Sequence, residues 1–317
     1  MYTDFEYQPT RAFRRDELPG LCAVMDGEIA DESASAPPPD SQADRDLAFA
    51  DSLDAQGRAE ASRGRFRAAR AFHEQAMELR RTHHGEADPR LLWSFTWLGE
   101  LSYREGLVEE ARWLLAQAHQ IACKRFQPDD LQFAVTLHNL AVVARKAGDH
   151  VEATRLGEQA LAIKVERLGW EHASVARTLC TLGNLARLTK RRRVALCYFD
   201  RARTIYEKTE GGVNAGLATA LVGMARVHTS MGSKVSARFL LERALQIREA
   251  VSVPPAQSAG VRVLLSQVLD DDDRTAAHEL VHAALDEYER HESARPELLE
   301  HLRGLARDHE SRRKAAN

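Results

Sequence analysis

Two histidines one helical turn apart, His278 and His282, flank Glu279 in the stretch His278-Glu279-Leu280-Val281-His282, the strongest chemical signature in the chain. Imidazoles at that spacing share one helix face and suit zinc, while the glutamate between them is placed to take a proton from zinc-bound water. A zinc-dependent peptidase also needs a third protein ligand. The glycine and histidine that extend the signature in one group of such enzymes are replaced by Leu285 and Tyr288, which leaves Glu297 and Glu300 as candidates. Zinc-dependent hydrolysis through residues 278–282 is carried as an alternative reading, and neither a catalytic nor a metal site is expected.

A second cluster, Arg187-Leu188-Thr189-Lys190-Arg191-Arg192-Arg193, has the charge to meet phosphates, so RNA binding is a further alternative. No aromatic side chain is interleaved with it, as base stacking would need. Over 317 residues, 44 basic side chains meet 47 acidic ones for a net charge of −3, and nucleic acid is not expected as a partner. No phosphate-cradling, dinucleotide-binding or nucleophile-elbow glycine pattern occurs, and Cys22, Cys123, Cys180 and Cys197 form no CxxC pair, so no cofactor is implied. Free thiols, with no apolar run long enough for a secretory signal or a membrane span, fit a reducing cytoplasm and no membrane contact.

Any such residues must be held by helices, because from Arg45 to about Lys314 apolar residues recur at i, i+3, i+4 and i+7 and no strand pattern appears. The helices repeat. Gly64, Gly106, Gly148 and Gly232 are related by steps of 42, with Lys190 in the remaining place. Seven residues before each turn stands a small residue (Gly57, Gly99, Ala141, Gly183, Ala225), where a partner helix must approach closely. Alanine follows each turn twice, at 69, 111, 153, 195 and 237 and again at 76, 118, 160, 202 and 244. Leu53, Phe95, Leu137, Leu179 and Leu221 in the first helix, and Leu79, Ile121, Ile163, Ile205 and Ile247 in the second, form large apolar columns of one continuous core. A sixth, weaker unit keeps Ala277 and Ala284 and has Asp272 at its turn.

These registers divide the chain. Residues 1–44 read as a largely disordered acidic leader with a Pro/Ser-rich linker, and 45–295 as the repeat array, with units starting near 50, 92, 134, 176, 218 and 260. Residues 296–317 read as a capping helix and basic tail, with Arg303, Arg307, Glu310 and Arg312 outward; Gln56, in the column of Leu98, Leu140, Leu182 and Met224, marks the other end as a capping unit.

A small residue followed by alanines 12 and 19 positions later resembles the tetratricopeptide repeat, and the 42-residue period resembles its kinesin-light-chain-like subclass. The stretch Thr136 to Ala176 carries this best, through NLA at 139–141, AGDHVEA at 147–153, QALAI at 159–163 and LGWEHASVA at 168–176. The resemblance implies an all-α, right-handed α-solenoid of about six helix-turn-helix repeats. It also implies a concave groove, lined by the first helix of each hairpin, that receives a peptide segment of another protein. The subclass asparagine of that helix is kept only as Asn139.

With Leu137, Leu140, Ala141 and Ala144 facing the core, the opposite face of the third unit is Val135, His138, Asn139, Val142, Arg145 and Lys146. The same offsets give Trp93, Thr96, Trp97, Glu100, Tyr103 and Arg104, then Arg177, Cys180, Thr181, Asn184 and Arg187, then Thr219, Val222, Arg226 and Thr229. Six of these are basic and only Glu100 is acidic. Guanidinium forks suit carboxylates, and Trp93, Trp97 and Tyr103 offer an aromatic seat, so the expected partner is an acidic peptide with an aromatic or aliphatic anchor. Residues 21–32, with Asp26, Glu28, Asp31 and Glu32 near Leu21, Val24 and Met25, offer an intramolecular ligand that would gate the groove.

Overall fold

A computed structural model describes residues 42–85, 88–209, 214–251, 255–269, 273–290 and 296–316. The 21–32 segment, Cys22 and Asp272 lie outside them. The described residues form thirteen helices and no strand. Six hairpins follow in order: α1 (Gln42–Ser62) with α2 (Phe66–His84), α3 (Leu91–Glu105) with α4 (Val108–Arg125), and α5 (Leu131–Ala147) with α6 (His150–Leu168). Next come α7 (Ala173–Leu188) with α8 (Arg192–Thr209), α9 (Ala215–Ser230) with α10 (Lys234–Ala250), and α11 (Pro255–Val268) with α12 (Arg274–Glu289). A single helix, α13 (Pro296–Ala316), packs on α12.

The five turns close the same way. At each, the N–H of the residue after the turn position reaches back to a carbonyl five residues earlier, as in Leu107 to Ser102, Asp149 to Ala144 and Arg191 to Ala186. This closure needs a left-handed residue between, which glycine adopts without a Cβ penalty. Gly64, Gly106, Gly148 and Gly232 have φ of 77°, 89°, 89° and 78°; Lys190 takes the fifth place at 61°, the one non-glycine with positive φ among the described residues. Lys190→Gly is therefore expected to stabilise the chain by about 1 kcal/mol, less what glycine loses in backbone entropy, read as a higher urea midpoint at unchanged slope.

Within the first, second and fourth hairpins the two helices meet through a size exchange. A Cβ added at Gly57 would lie 2.6 Å from His73, one at Gly99 2.7 Å from Leu115, and one at Gly183 2.9 Å from Phe199. In the third unit the order reverses, with Ala141 against Gly157, whose added Cβ would sit 3.8 Å from the alanine methyl. All ten repeated alanines are buried, as are Leu53, Phe95, Leu137, Leu179 and Leu221. Two large clusters span several units and adjoin at α6, which supplies Leu156 and Ala160 to one and Ala153 and Leu161 to the next; smaller clusters around Leu53 and around Tyr288 lie at the two ends.

The odd-numbered helices also touch one another across units, α1 with α3, α5 with α7 and α7 with α9. They are the closely spaced inner layer of a curved stack, and the even-numbered helices form the outer layer. At one end Gln56 is exposed. At the other, α13 buries Leu302 and Ala306 and leaves Arg303, Arg307 and Glu310 exposed.

Candidate functional site

The inner layer divides into two electrostatic halves. On α3 the charged groups of this face already have partners, while the buried Thr96 hydroxyl has none among the described residues. Glu100 is buried and pairs with Arg104 at 2.5 Å, and Arg104 also lies 5.7 Å from the Phe66 ring. Trp97 is buried, stacked on His73 with ring centroids 6.0 Å apart and covered by the Arg58 guanidinium at 5.6 Å. It is a packing residue and offers no open seat. Trp93 and Tyr103 remain half-buried.

From α5 to α9 the balance changes. His138, Asn139 and Thr181 are buried and lie beneath the surface instead of lining it. Val142, Arg145, Arg177, Asn184, Arg187 and Val222 are half-buried, while Lys146 and Arg226 are exposed. Arg145 donates to the Tyr103 hydroxyl at 2.9 Å, which fixes its fork, and Asn184 donates to the Cys180 carbonyl at 3.1 Å. Among the described residues, Arg145, Arg187 and Arg226 have no carboxylate partner. Several outer-layer arginines do: Arg155 pairs with Glu152 at 2.6 Å, Arg203 with Asp200 and Glu207 at 2.7 Å, and Arg243 with Glu207 at 2.9 Å.

Like charge accumulates as a result. Burial, then Arg226 and Arg145, holds Arg187 below the ordinary arginine value; partial desolvation, then Arg145, lowers Arg226, although its side chain as a whole stays exposed. Two further cations sit behind this surface. Arg248 on α10 is buried, donates to the Gln257 carbonyl, and is brought down to about 10 by burial and then Arg226. Lys164 on α6 is buried and donates to Thr178 at 3.2 Å; Thr178 in turn lies 3.2 Å from His138 Nδ1. The α-helical pattern alone placed Lys164 and Arg248 on outer helices. The signal for them was their shared register with Arg80, at steps of 84.

His138 is held far below the usual histidine value by burial, then by Lys164, Arg177 and Arg145, and burial followed by Arg155 brings His119 down to about 4. Both are neutral in the folded chain, whereas the unfolded chain protonates them near pH 6.5. The unfolded state thus binds more protons below that pH. Stability should fall by about 1.4 kcal/mol per pH unit for each histidine as the pH drops from about 6.5 towards 4, and His119→Gln should reduce the slope of urea midpoint against pH.

The remaining chemical candidates separate in space. Arg187 belongs to the inner layer, while Lys190 to Arg193 wrap the following turn, where Arg192 donates to Ser230 at 3.1 Å, so the basic run does not act as one patch. His278 and His282 lie on α12 with ring centroids 4.2 Å apart, and the Glu310 carboxylate is 3.9 Å from His282. Glu300 is ion-paired with Arg307 at 2.9 Å, and no three His, Cys, Asp or Glu residues are grouped to hold a metal among the described residues. Cys123, Cys180 and Cys197 are free thiols, and burial pushes that of Cys180 up to about 12, which makes it unreactive. No described helix is long and apolar enough to cross a membrane.

Paired helices in an inner and an outer layer, joined by one recurring turn, define the class: a helical-hairpin solenoid. Models of the tetratricopeptide repeat match residues 90–164, 132–208 and 174–250, and another matches 49–90. The chain belongs to the tetratricopeptide repeat family and is of its kinesin-light-chain-like kind, an architecture that serves as a protein-interaction scaffold. No curated protein sequence matches it. Similar solved structures include BtubC (BKLC) from P. vanneervenii, 20% identical with a TM-score of 0.52, covering 81% of this chain and 95% of that one. A Podosopora anserina protein described as a kinesin light chain with nearly identical TPR-like repeats is 23% identical with a TM-score of 0.50, covering 64% and 95%. A Rap protein complexed with Competence and Sporulation Factor is 16% identical with a TM-score of 0.58, covering 83% and 77%.

Proposed function

We propose that this scaffold holds an acidic peptide segment of a partner protein along the inner faces of α5, α7 and α9. One observation carries the reading: Arg155, Arg203 and Arg243 of the outer helices are neutralised by carboxylates of the chain, and Arg145, Arg187 and Arg226 on three consecutive inner helices are not. A row of guanidinium groups crowded by like charge gains most from an added anion, and the half-buried Val142 and Val222 give an aliphatic anchor a place beside it. Support for the mode comes from the similar Rap protein, which is seen complexed with Competence and Sporulation Factor.

The probe is a fluorescein-labelled peptide of alternating glutamate and leucine, titrated by anisotropy. Arg187→Glu with Arg226→Glu should weaken its binding by about 30-fold, on the order of 2 kcal/mol, and raising the salt should weaken wild-type binding. Reversal of Arg203 on the outer layer should leave it unchanged. Equal affinity of wild type and the inner double variant would remove the reading.

A further inference from the structure

The same surface is selective about the anion it suits. Arg145, Arg187 and Arg226 come from three consecutive inner helices, and α5 touches α7 as α7 touches α9. Arg145 is oriented by Tyr103, and the buried Arg187 Nε has no hydrogen-bond partner among the described residues. Glu100, the acid on the inner face of α3, is engaged by Arg104. Behind the three arginines stand Arg248 and Lys164, both buried.

A carboxylate carries one charge and two oxygens, which one guanidinium fork satisfies, so two forks would remain uncompensated. A phosphomonoester carries close to two charges at neutral pH and three terminal oxygens, each able to accept from a separate fork. Building on the acidic-segment reading above, we propose that Arg145, Arg187 and Arg226 form a phosphate-binding cluster that takes a phosphorylated side chain of the bound segment.

The test uses the full chain and the glutamate–leucine peptide with its central residue as serine, glutamate or phosphoserine. The phosphoserine form should bind about tenfold tighter than the glutamate form, and inorganic phosphate should compete with it. Arg187→Lys keeps the charge and removes the fork, and should bring the phosphoserine peptide to the affinity of the glutamate peptide; Arg203→Lys should preserve the preference. Circular dichroism confirms that each variant is folded. Equal binding of phosphoserine and glutamate peptides to wild type overturns the phosphate proposal and leaves the acidic-segment reading standing. If neither binds more tightly than the serine form, the phosphate proposal falls; the acidic-segment reading falls separately if Arg187→Glu with Arg226→Glu leaves binding of the glutamate peptide unchanged. Competition by inorganic phosphate without any gain from the phosphoserine peptide overturns the peptide source.

Discussion

Phe199→Ala should destabilise the chain by about 3–5 kcal/mol, the cost of emptying a fully buried aromatic site. The ring sits on α8 between two glycines of neighbouring inner helices: a Cβ added at Gly183 would lie 2.9 Å from it and one at Gly223 2.2 Å. One side chain therefore joins its own hairpin and docks the next. In a solenoid each unit is stabilised only by its neighbours, so the loss should lower cooperativity as well as stability. Urea unfolding should broaden, and hydrogen exchange should accelerate first in α9 and beyond. Gly223→Leu alone should also be destabilising, by overpacking, yet should recover part of the loss when combined with Phe199→Ala. Independent, additive effects of the two changes would contradict this arrangement.

Asp54→Ala should cost about 3 kcal/mol and act on the first hairpin. Asp54 is buried, accepts from Arg80 at 2.6 Å and lies 2.6 Å from His73 Nδ1. Arg80, itself buried, also donates to Ser94 at 2.8 Å and pairs with Asp51 at 2.6 Å. Removing the aspartate strands a buried guanidinium whose remaining acid, Asp51, is exposed. His73 would lose its position under Trp97, so tryptophan fluorescence reports the change locally. The second unit has Thr96, Leu115 and Ala122 in the same registers, and installing threonine, leucine and alanine at 54, 73 and 80 together should cost less than Asp54→Ala alone. A triple variant no more stable than the single one would show that the polar trio is not what holds this unit.

The fold was legible in the sequence because its constraints are local and repeated. Lys190 stood where glycine stands elsewhere, and the chain does take the left-handed conformation there. Small residues facing large ones across a hairpin recur at fixed offsets because two helices can approach only where one of them lacks bulk. The inner surface was less legible. Helical periodicity assigns two faces, core and solvent, but an inner helix of a solenoid meets its own partner, the preceding outer helix and the inner helix of the adjacent unit. These added contacts help to bury Trp97, against His73 of the preceding outer helix, and His138, against Thr178 of the next inner helix; Glu100, Asn139 and Thr181 are buried too, though a two-faced pattern turns all five outward.

Charge pairing lay further from reach. Some carboxylates that neutralise outer-layer cations lie one turn along the same helix, as for Arg155 and Arg203, but others come from far along the chain, as Glu207 does for Arg243, Glu171 for Lys208 and Asp129 for Arg167. The sequence by itself determined the repeat, its turns, its core columns and an excess of arginine on the first helices of the third, fourth and fifth hairpins. Only the tertiary structure decided which of those arginines are left without an acid, because that depends on distances between side chains some forty residues apart, which periodicity does not encode.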